Sequence, residues 1–180
     1  DVIVDVGSLQ RNIYSASSCG ICGKASIDEV FLKAPKLVSE MRVNRTILMQ
    51  APDKLREVQE TFDVTGGLHA AGLFSSDGDL LILKEDVGRH NAIDKVIGSA
   101  LSNDGHKVEL SHCFLQVSGR VSFEVVQKAL MAGIPIVAAI SAPTSLAVTF
   151  AKESGLTLVG FMRGQKLHVH SGRKRVEKFP

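Results

Sequence analysis

A regular alternation of strand and helix patterns between residues 69 and 161 is the feature that most constrains the fold of this chain. Two alternating apolar runs, residues 69–74 and 80–84, flank an Asp77-Gly78 turn and predict an antiparallel hairpin. Helix and strand patterns then alternate, and strand–helix–strand units form parallel pairs with right-handed crossovers. Helices are predicted at 93–101, 126–133 and from 146 to a stop at Gly155, and strands at 112–117, 135–140 and 156–161. The sequence therefore predicts an α/β fold, three-layer α/β/α on a mixed sheet.

The region before the hairpin carries one clear helix signal. Pro52 at a first-turn position, with Leu55, Val58 and Phe62 at helical spacing, predicts a short amphipathic helix that ends before residue 66. We therefore divide the chain into an N-terminal segment, residues 1–51, and an α/β domain, residues 52–180. Residues 42–50 fit either a strand or a helix. The start of the chain lacks an initiator Met, and we interpret it as a fragment whose N-terminal part is missing.

Composition narrows the class of protein. The chain has 180 residues and is 44% hydrophobic, as expected for one globular core. Its 21 basic and 19 acidic residues give a net charge of +2, which provides no field to attract nucleic acid. No apolar run approaches the roughly 18–20 residues that cross a bilayer, so we expect no membrane partner. Three cysteines form no even disulfide framework, which favours a reducing, cytoplasmic location.

Two cysteines with C-x-x-C spacing, Cys19 and Cys22, lie in a loop rich in Ser and Gly. This spacing favours a thiolate, which is a nucleophile near neutral pH. A zinc site needs about four ligands, and the sequence offers no second C-x-x-C or H-x-x-H pair to complete one. Cys113 lies in an apolar strand and is expected to be an inert core residue. A thioredoxin-type motif normally opens a helix behind a strand, unlike this flexible setting. Two reduced surface cysteines without a role remain an alternative.

Small, hydroxyl and cationic residues follow three of the predicted strands. They occupy residues 118–120, 141–145 and 162–166, where ligands collect in open α/β sheets. Backbone N–H groups at helix starts, with Arg and Lys nearby, suit a phosphate-bearing ligand. The junction at residues 85–95 is dense in charge, and we favour a ligand-binding role for Asp86, Arg89 and His90 over a solvated helix face.

Residues 17–24, 85–95, 118–124 and 160–166 together resemble the formate dehydrogenase accessory protein family, the FdhD sulfur carriers. The resemblance implies a cytosolic sulfurtransferase that accepts sulfur from a cysteine desulfurase. It implies that the sulfur passes to the molybdenum or tungsten bis-guanine-dinucleotide cofactor, a bound substrate, before that cofactor enters formate dehydrogenase. Two other classes stay open: a cofactor-binding chaperone without sulfur transfer, and a thiol-disulfide oxidoreductase. The oligomeric state is open as well, with a homodimer among the candidates.

Carried over residue by residue, the resemblance makes Cys19 the persulfide-bearing cysteine and Cys22 its partner. It also assigns cofactor binding to one continuous segment. That segment consists of Phe161, Met162, Arg163, Gly164, Gln165 and Lys166. Arg120, at another strand end, and His90 are the further residues expected to hold the cofactor's phosphates or base.

The family core is similar to the cytidine deaminase fold, which places His90 at the position of a zinc-ligating histidine. Ala92 stands where a deaminase has its proton-shuttling Glu, and residues 119–122 stand where it has a Pro-Cys-x-x-Cys zinc pair. We therefore expect neither zinc nor deamination.

Overall fold

The computed structural model describes residues 36–102 and 108–177, which belong to one compact unit spanning residues 35–180. No helix among these residues is long and apolar enough to cross a bilayer.

A six-stranded mixed sheet forms the centre of this unit. Its strands are β2 (His69–Ser75), β3 (Leu80–Asp86), β4 (Cys113–Val117), β5 (Ile136–Ala139), β6 (Thr157–Arg163) and β7 (Lys166–Ser171). They lie in the order β3-β2-β4-β5-β6-β7. The β4, β5 and β6 strands are mutually parallel, and every other neighbouring pair is antiparallel. This confirms the predicted hairpin followed by parallel strands and adds the antiparallel edge strand β7.

Two residues near each end of the described chain form a separate small sheet. The β1 strand (Val43–Asn44) pairs in parallel with β8 (Val176–Glu177). Arg175, which is buried, donates hydrogen bonds to the carbonyls of Ser39 at 3.1 Å and Gly155 at 2.8 Å. The segment before the first helix is thereby attached to the body of the unit.

Five α-helices connect these strands. They are α1 (Arg45–Glu57), α2 (Glu60–Thr65), α3 (Arg89–Leu101), α4 (Phe123–Met131) and α5 (Ser145–Ser154), with single 3-10 turns at Leu110–His112 and Arg173–Arg175. The predicted start at Pro52 is wrong, because Pro52 lies inside α1. Asn44 caps that helix by accepting a hydrogen bond from the Thr46 amide at 2.8 Å, and such a cap sets a helix start more strongly than a proline does. The predicted stop of α5 at Gly155 is confirmed, with φ at +76°.

Helices cover both faces of the sheet. Leu48 and Leu55 of α1 share one core cluster with Phe74 and Phe114, whose rings stack 5.1 Å apart. On the opposite face of the central strands, Leu73, Leu115 and Val137 are also fully buried, since strand side chains alternate between faces. The α3 helix contacts β2 and β3, α4 contacts β5, and α5 contacts β6 and β7. The layers are therefore helix, sheet and helix, as predicted.

Candidate functional site

Three strand-end loops meet at one edge of the sheet, because β4, β5 and β6 are parallel and end on the same side. The loop after β4 contacts the loop after β5 through a bridge between Val121 and Pro143. The loop after β5 contacts β6, where the Phe161 amide donates to the Ser141 carbonyl at 3.2 Å. A side chain at Gly160 would lie 2.9 Å from Pro143 Cδ, so glycine permits this close approach. The structure thus brings together the loops that the sequence predicts for phosphate binding.

Phe161 has a strained backbone and an exposed side chain. Its φ is +53°, which no other non-glycine residue in the described ranges shares, and 47% of its surface is exposed. The register between β6 and β7 shifts between Gly160 and Arg163, so a bulge turns Phe161 outward. Such strain costs about 1 kcal/mol or more and is concentrated at functional sites.

Two histidines of β7 complete an aromatic cluster around Phe161. The ring centroids of His168 and His170 lie 6.2 Å and 5.8 Å from that of Phe161, and 5.9 Å from each other. Burial, followed by the charge of His168, lowers the pKa of His170 below its usual 6.5. Aromatic rings such as these can stack on a nucleotide base. Neither histidine was predicted, although an alternating His-x-His pattern in an edge strand was the available signal.

The tip of the β6–β7 hairpin presents cations to solvent. Arg163 pairs with Lys166 across a two-residue turn, in which Gly164 has φ at +54°. Arg163, Gly164, Gln165 and Lys166 are exposed, whereas Met162 is 3% exposed and packs in the core below α1. Directly paired strand residues project on the same side. Two positive charges therefore lie together beside the aromatic cluster.

His90 links the start of α3 to the start of α4. Its Nε2 lies 3.1 Å from the Ser122 hydroxyl. Burial, followed by the positive charge of Arg89, lowers the pKa of His90 below its usual 6.5. The structure therefore joins the two stretches, residues 90–92 and 119–122, that the deaminase resemblance places at one pocket. Arg120 lies in the second stretch, with an exposed side chain.

Asp86 organises the turn before α3. Its Oδ1 accepts hydrogen bonds from the Gly88 amide at 2.9 Å and from Asn91 Nδ2 at 3.1 Å. It also forms an ion pair with Lys95. Chiefly through Lys95, these contacts lower the pKa of Asp86 from 3.8 to about 2. The carboxylate oxygens of Asp86 are thus engaged by neighbouring groups of this turn.

A cavity of about 420 Å³ opens at this edge of the sheet. The strand ends contribute His69, Ser118 and Ile140 to its wall, and the α1–α2 region contributes Arg56 and Phe62. Arg56 is engaged within that wall, since it lies over the Phe62 ring at 4.8 Å. The volume falls in the range of small-molecule sites.

The cysteines are distributed as follows. Cys19 and Cys22 lie outside the described residues. Cys113 is buried, and burial raises the pKa of its thiol to about 11, in agreement with the predicted core role. Across residues 36–102 and 108–177, no three side chains of His, Cys, Asp or Glu are grouped so as to hold a metal ion.

The fold defines an α/β protein whose candidate ligand site lies at the carboxyl ends of its parallel strands. The chain belongs to the FdhD/NarQ family, whose model matches residues 4–177. It is 55% identical over 172 residues to the sulfur carrier protein FdhD of Streptomyces coelicolor, covering 94% of this chain and 60% of that protein. It is 46% identical over 171 residues to the protein of that name from Saccharolobus solfataricus, covering 95% of this chain and 64% of the relative.

A solved structure agrees with these relatives. It is the crystal structure of a Desulfotalea psychrophila protein assigned as a formate dehydrogenase accessory protein. The TM-score is 0.73 at 30% sequence identity, with 83% of this chain and 62% of that one covered. This chain therefore spans about three fifths of the length of the relatives that it matches.

Proposed function

We propose that this protein is a sulfur carrier in the maturation of formate dehydrogenase. It accepts sulfur from a cysteine desulfurase as a persulfide on Cys19, in the cytoplasm, and transfers it to the molybdenum or tungsten bis-guanine-dinucleotide cofactor. The observation that carries this proposal is the 55% identity to a named sulfur carrier over 94% of the chain. The C-x-x-C loop supplies the thiols that such a role needs.

Sulfur uptake is a thiol–persulfide exchange. The Cys19 thiolate attacks the outer sulfur of the desulfurase persulfide, and a new S–S bond forms on Cys19. The S–S bond of the desulfurase breaks, and its cysteine leaves as a thiolate. No net electron transfer occurs in this step. Acting in this way, the protein is a sulfurtransferase.

Sulfur release as sulfide needs two electrons, which Cys22 can supply together with Cys19. The Cys22 thiolate attacks the inner sulfur, on Cys19, so that a Cys19–Cys22 disulfide forms and hydrosulfide leaves toward the metal of the substrate. A cellular dithiol then reduces the disulfide. This order of steps gives both cysteines a chemical role.

The described edge of the sheet is suited to hold the nucleotide ends of that substrate. The rings of Phe161, His168 and His170 offer surfaces for stacking a guanine base. Arg163, Lys166 and Arg120 carry charge for the phosphates, and none of the three makes an ion pair with another residue of the described ranges. Fixing the substrate within reach of the cysteine loop is catalysis by positioning.

Complementation separates this proposal from the two alternatives. In cells that lack their own FdhD protein, the full-length protein containing this chain is expected to restore formate dehydrogenase activity, and Cys19→Ala is expected to abolish that activity. Cys113→Ala serves as the matched control and should restore it. A cofactor chaperone would keep activity after Cys19→Ala. A thiol-disulfide oxidoreductase would keep activity when Arg163 and Lys166 are both replaced by Gln, whereas a carrier that binds the nucleotide would lose it.

A further inference from the structure

Arg89, the first residue of α3, has a buried Nε–H that donates no hydrogen bond to any described residue. Within the described ranges the whole guanidinium forms no ion pair. Arg175 shows the contrast, since its buried guanidinium donates to three oxygens. A buried donor left unpaired is destabilising, so the Nε–H of Arg89 is suited to an acceptor that a bound ligand would supply.

His69, the first residue of β2, approaches the same place from the sheet. A Cβ built on Gly119 would lie 3.3 Å from His69 Nδ1 and 3.6 Å from Arg89 Cδ. Gly119 has no positive φ, so its backbone does not require glycine for conformation. Because glycine has no side chain, His69 and Arg89 can both pack closely against its backbone, and this brings an imidazole and a guanidinium to the same place.

Glu124 is an acidic residue close to Arg89. Burial acts to raise the pKa of Glu124, but the hydrogen bond from Ser122 and the charges of His90 and Arg89 lower it overall. Arg89 and Glu124 nevertheless form no ion pair. His69 also belongs to the wall of the 420 Å³ cavity, which leaves room beside the pair for the rest of a ligand.

We propose that Arg89 and His69, which converge at Gly119, bind a phosphate group of the nucleotide substrate beside the cavity that His69 lines. The inference rests on the proposed function, because it identifies the nucleotide's diphosphate as the anion. A guanidinium binds phosphate oxygens through two parallel hydrogen bonds, which an ammonium does not reproduce. The site lies at the β4–α4 loop, beside Arg120 and His90, and is separate in sequence from the β6–β7 hairpin.

Calorimetric titration of the chain with guanosine diphosphate and with guanosine tests the assignment. Arg89→Gln is expected to weaken binding of the diphosphate by about tenfold or more and to leave binding of guanosine unchanged. Arg89→Lys keeps the positive charge but not the two parallel N–H donors of the guanidinium. We therefore expect its affinity for guanosine diphosphate to lie between those of the parent and Arg89→Gln. Arg42→Gln, which removes an exposed charge from the segment before β1, is the control and should bind as the parent does. Inorganic pyrophosphate should compete with guanosine diphosphate for the parent protein and not for Arg89→Gln.

Two outcomes overturn the proposal in distinguishable ways. Equal binding of guanosine diphosphate by Arg89→Gln and the parent, together with a loss in Arg163→Gln, would reject the Arg89 site and leave the proposed function standing. No binding of guanosine diphosphate by the parent would reject the nucleotide site of the proposed function as well. Thermal unfolding without ligand checks that Arg89→Gln is folded. If Arg89→Gln is not folded, binding of guanosine diphosphate by Arg89→Lys is compared with binding by the parent instead.

Discussion

Phe161 shows at the scale of one residue how backbone strain and an exposed ring occur together. A glycine at this position would adopt φ near +53° without steric cost. The retained phenylalanine is therefore best explained by what its ring contacts. The neighbouring histidine rings and the exposed cations place that contact at the proposed nucleotide site.

Replacing Phe161 tests this explanation. Phe161→Gly and Phe161→Ala both remove the ring, but only the glycine relieves the backbone strain. We expect Phe161→Gly to be about 1 kcal/mol more stable than Phe161→Ala in thermal or denaturant unfolding. Both variants should bind guanosine diphosphate more weakly than the parent. Equal stability of the two variants, or unchanged binding, would contradict the explanation.

Asp86 makes a pH-dependent contribution to stability. Its pKa is about 2 in the folded protein against 3.8 as the ordinary value, so the folded state binds its proton less readily. The stabilisation is present above pH 3.8 and is lost as pH falls from about 4 toward 2. We expect Asp86→Asn to reduce the dependence of unfolding free energy on pH in that window. Asp53→Asn, at an exposed position of α1, is the control, and an identical pH dependence in Asp86→Asn and the parent would refute the assignment.

At the scale of elements, α1 is held on the sheet by close packing over Gly72. A Cβ at Gly72 would lie 2.6 Å from Leu55 Cδ1 and 3.0 Å from Phe74 Cε2. The absence of a side chain on β2 therefore sets how closely the helix approaches the strand.

A double-mutant cycle checks this packing. Gly72→Ala is expected to destabilise the protein by about 1–3 kcal/mol through overpacking, and Leu55→Ala by about 2–5 kcal/mol through loss of buried volume. The double variant should lose less stability than the sum of the two, because the new methyl group occupies part of the vacated space. Denaturant unfolding gives all three values, and simple additivity would show that the two side chains do not compete for space.

Most elements could be predicted from local pattern, and the failures have physical reasons. The hairpin was recognisable because Asp77-Gly78 supplies the turn that β2 and β3 need. The β7 strand was missed because Lys166, His168 and His170 occupy one side of it, so it resembles a polar loop. The predicted start of α1 is wrong because the helix begins directly after the Asn44 cap and accommodates Pro52 in its interior.

The candidate site also has a part that could be predicted from the sequence and a part that could not. The loops after β4, β5 and β6 could be predicted, since parallel strands end at a common edge. The approach of His69 and Arg89 to Gly119 could not be predicted from the sequence. It depends on the antiparallel register that sets the start of β2 beside the end of β4.

At the scale of the whole molecule, ligand-binding groups are concentrated at one edge of the sheet. The net charge of +2 provides no general attraction for an anionic substrate, so binding has to come from local cations at the strand ends. Binding of guanosine diphosphate should therefore weaken as salt is raised, since exposed charges are screened within about 10 Å at 0.1 M.

Mass spectrometry after incubation with a cysteine desulfurase and cysteine tests the central claim most directly. The account predicts that the peptide containing Cys19 and Cys22 gains the mass of about one sulfur atom, that dithiothreitol removes this mass, and that Cys19→Ala does not acquire it. Cys113→Ala, the buried control, should gain it as the parent does. An unmodified parent peptide would contradict the sulfur-carrier proposal, and a full gain in Cys19→Ala would contradict the assignment of Cys19 as the acceptor.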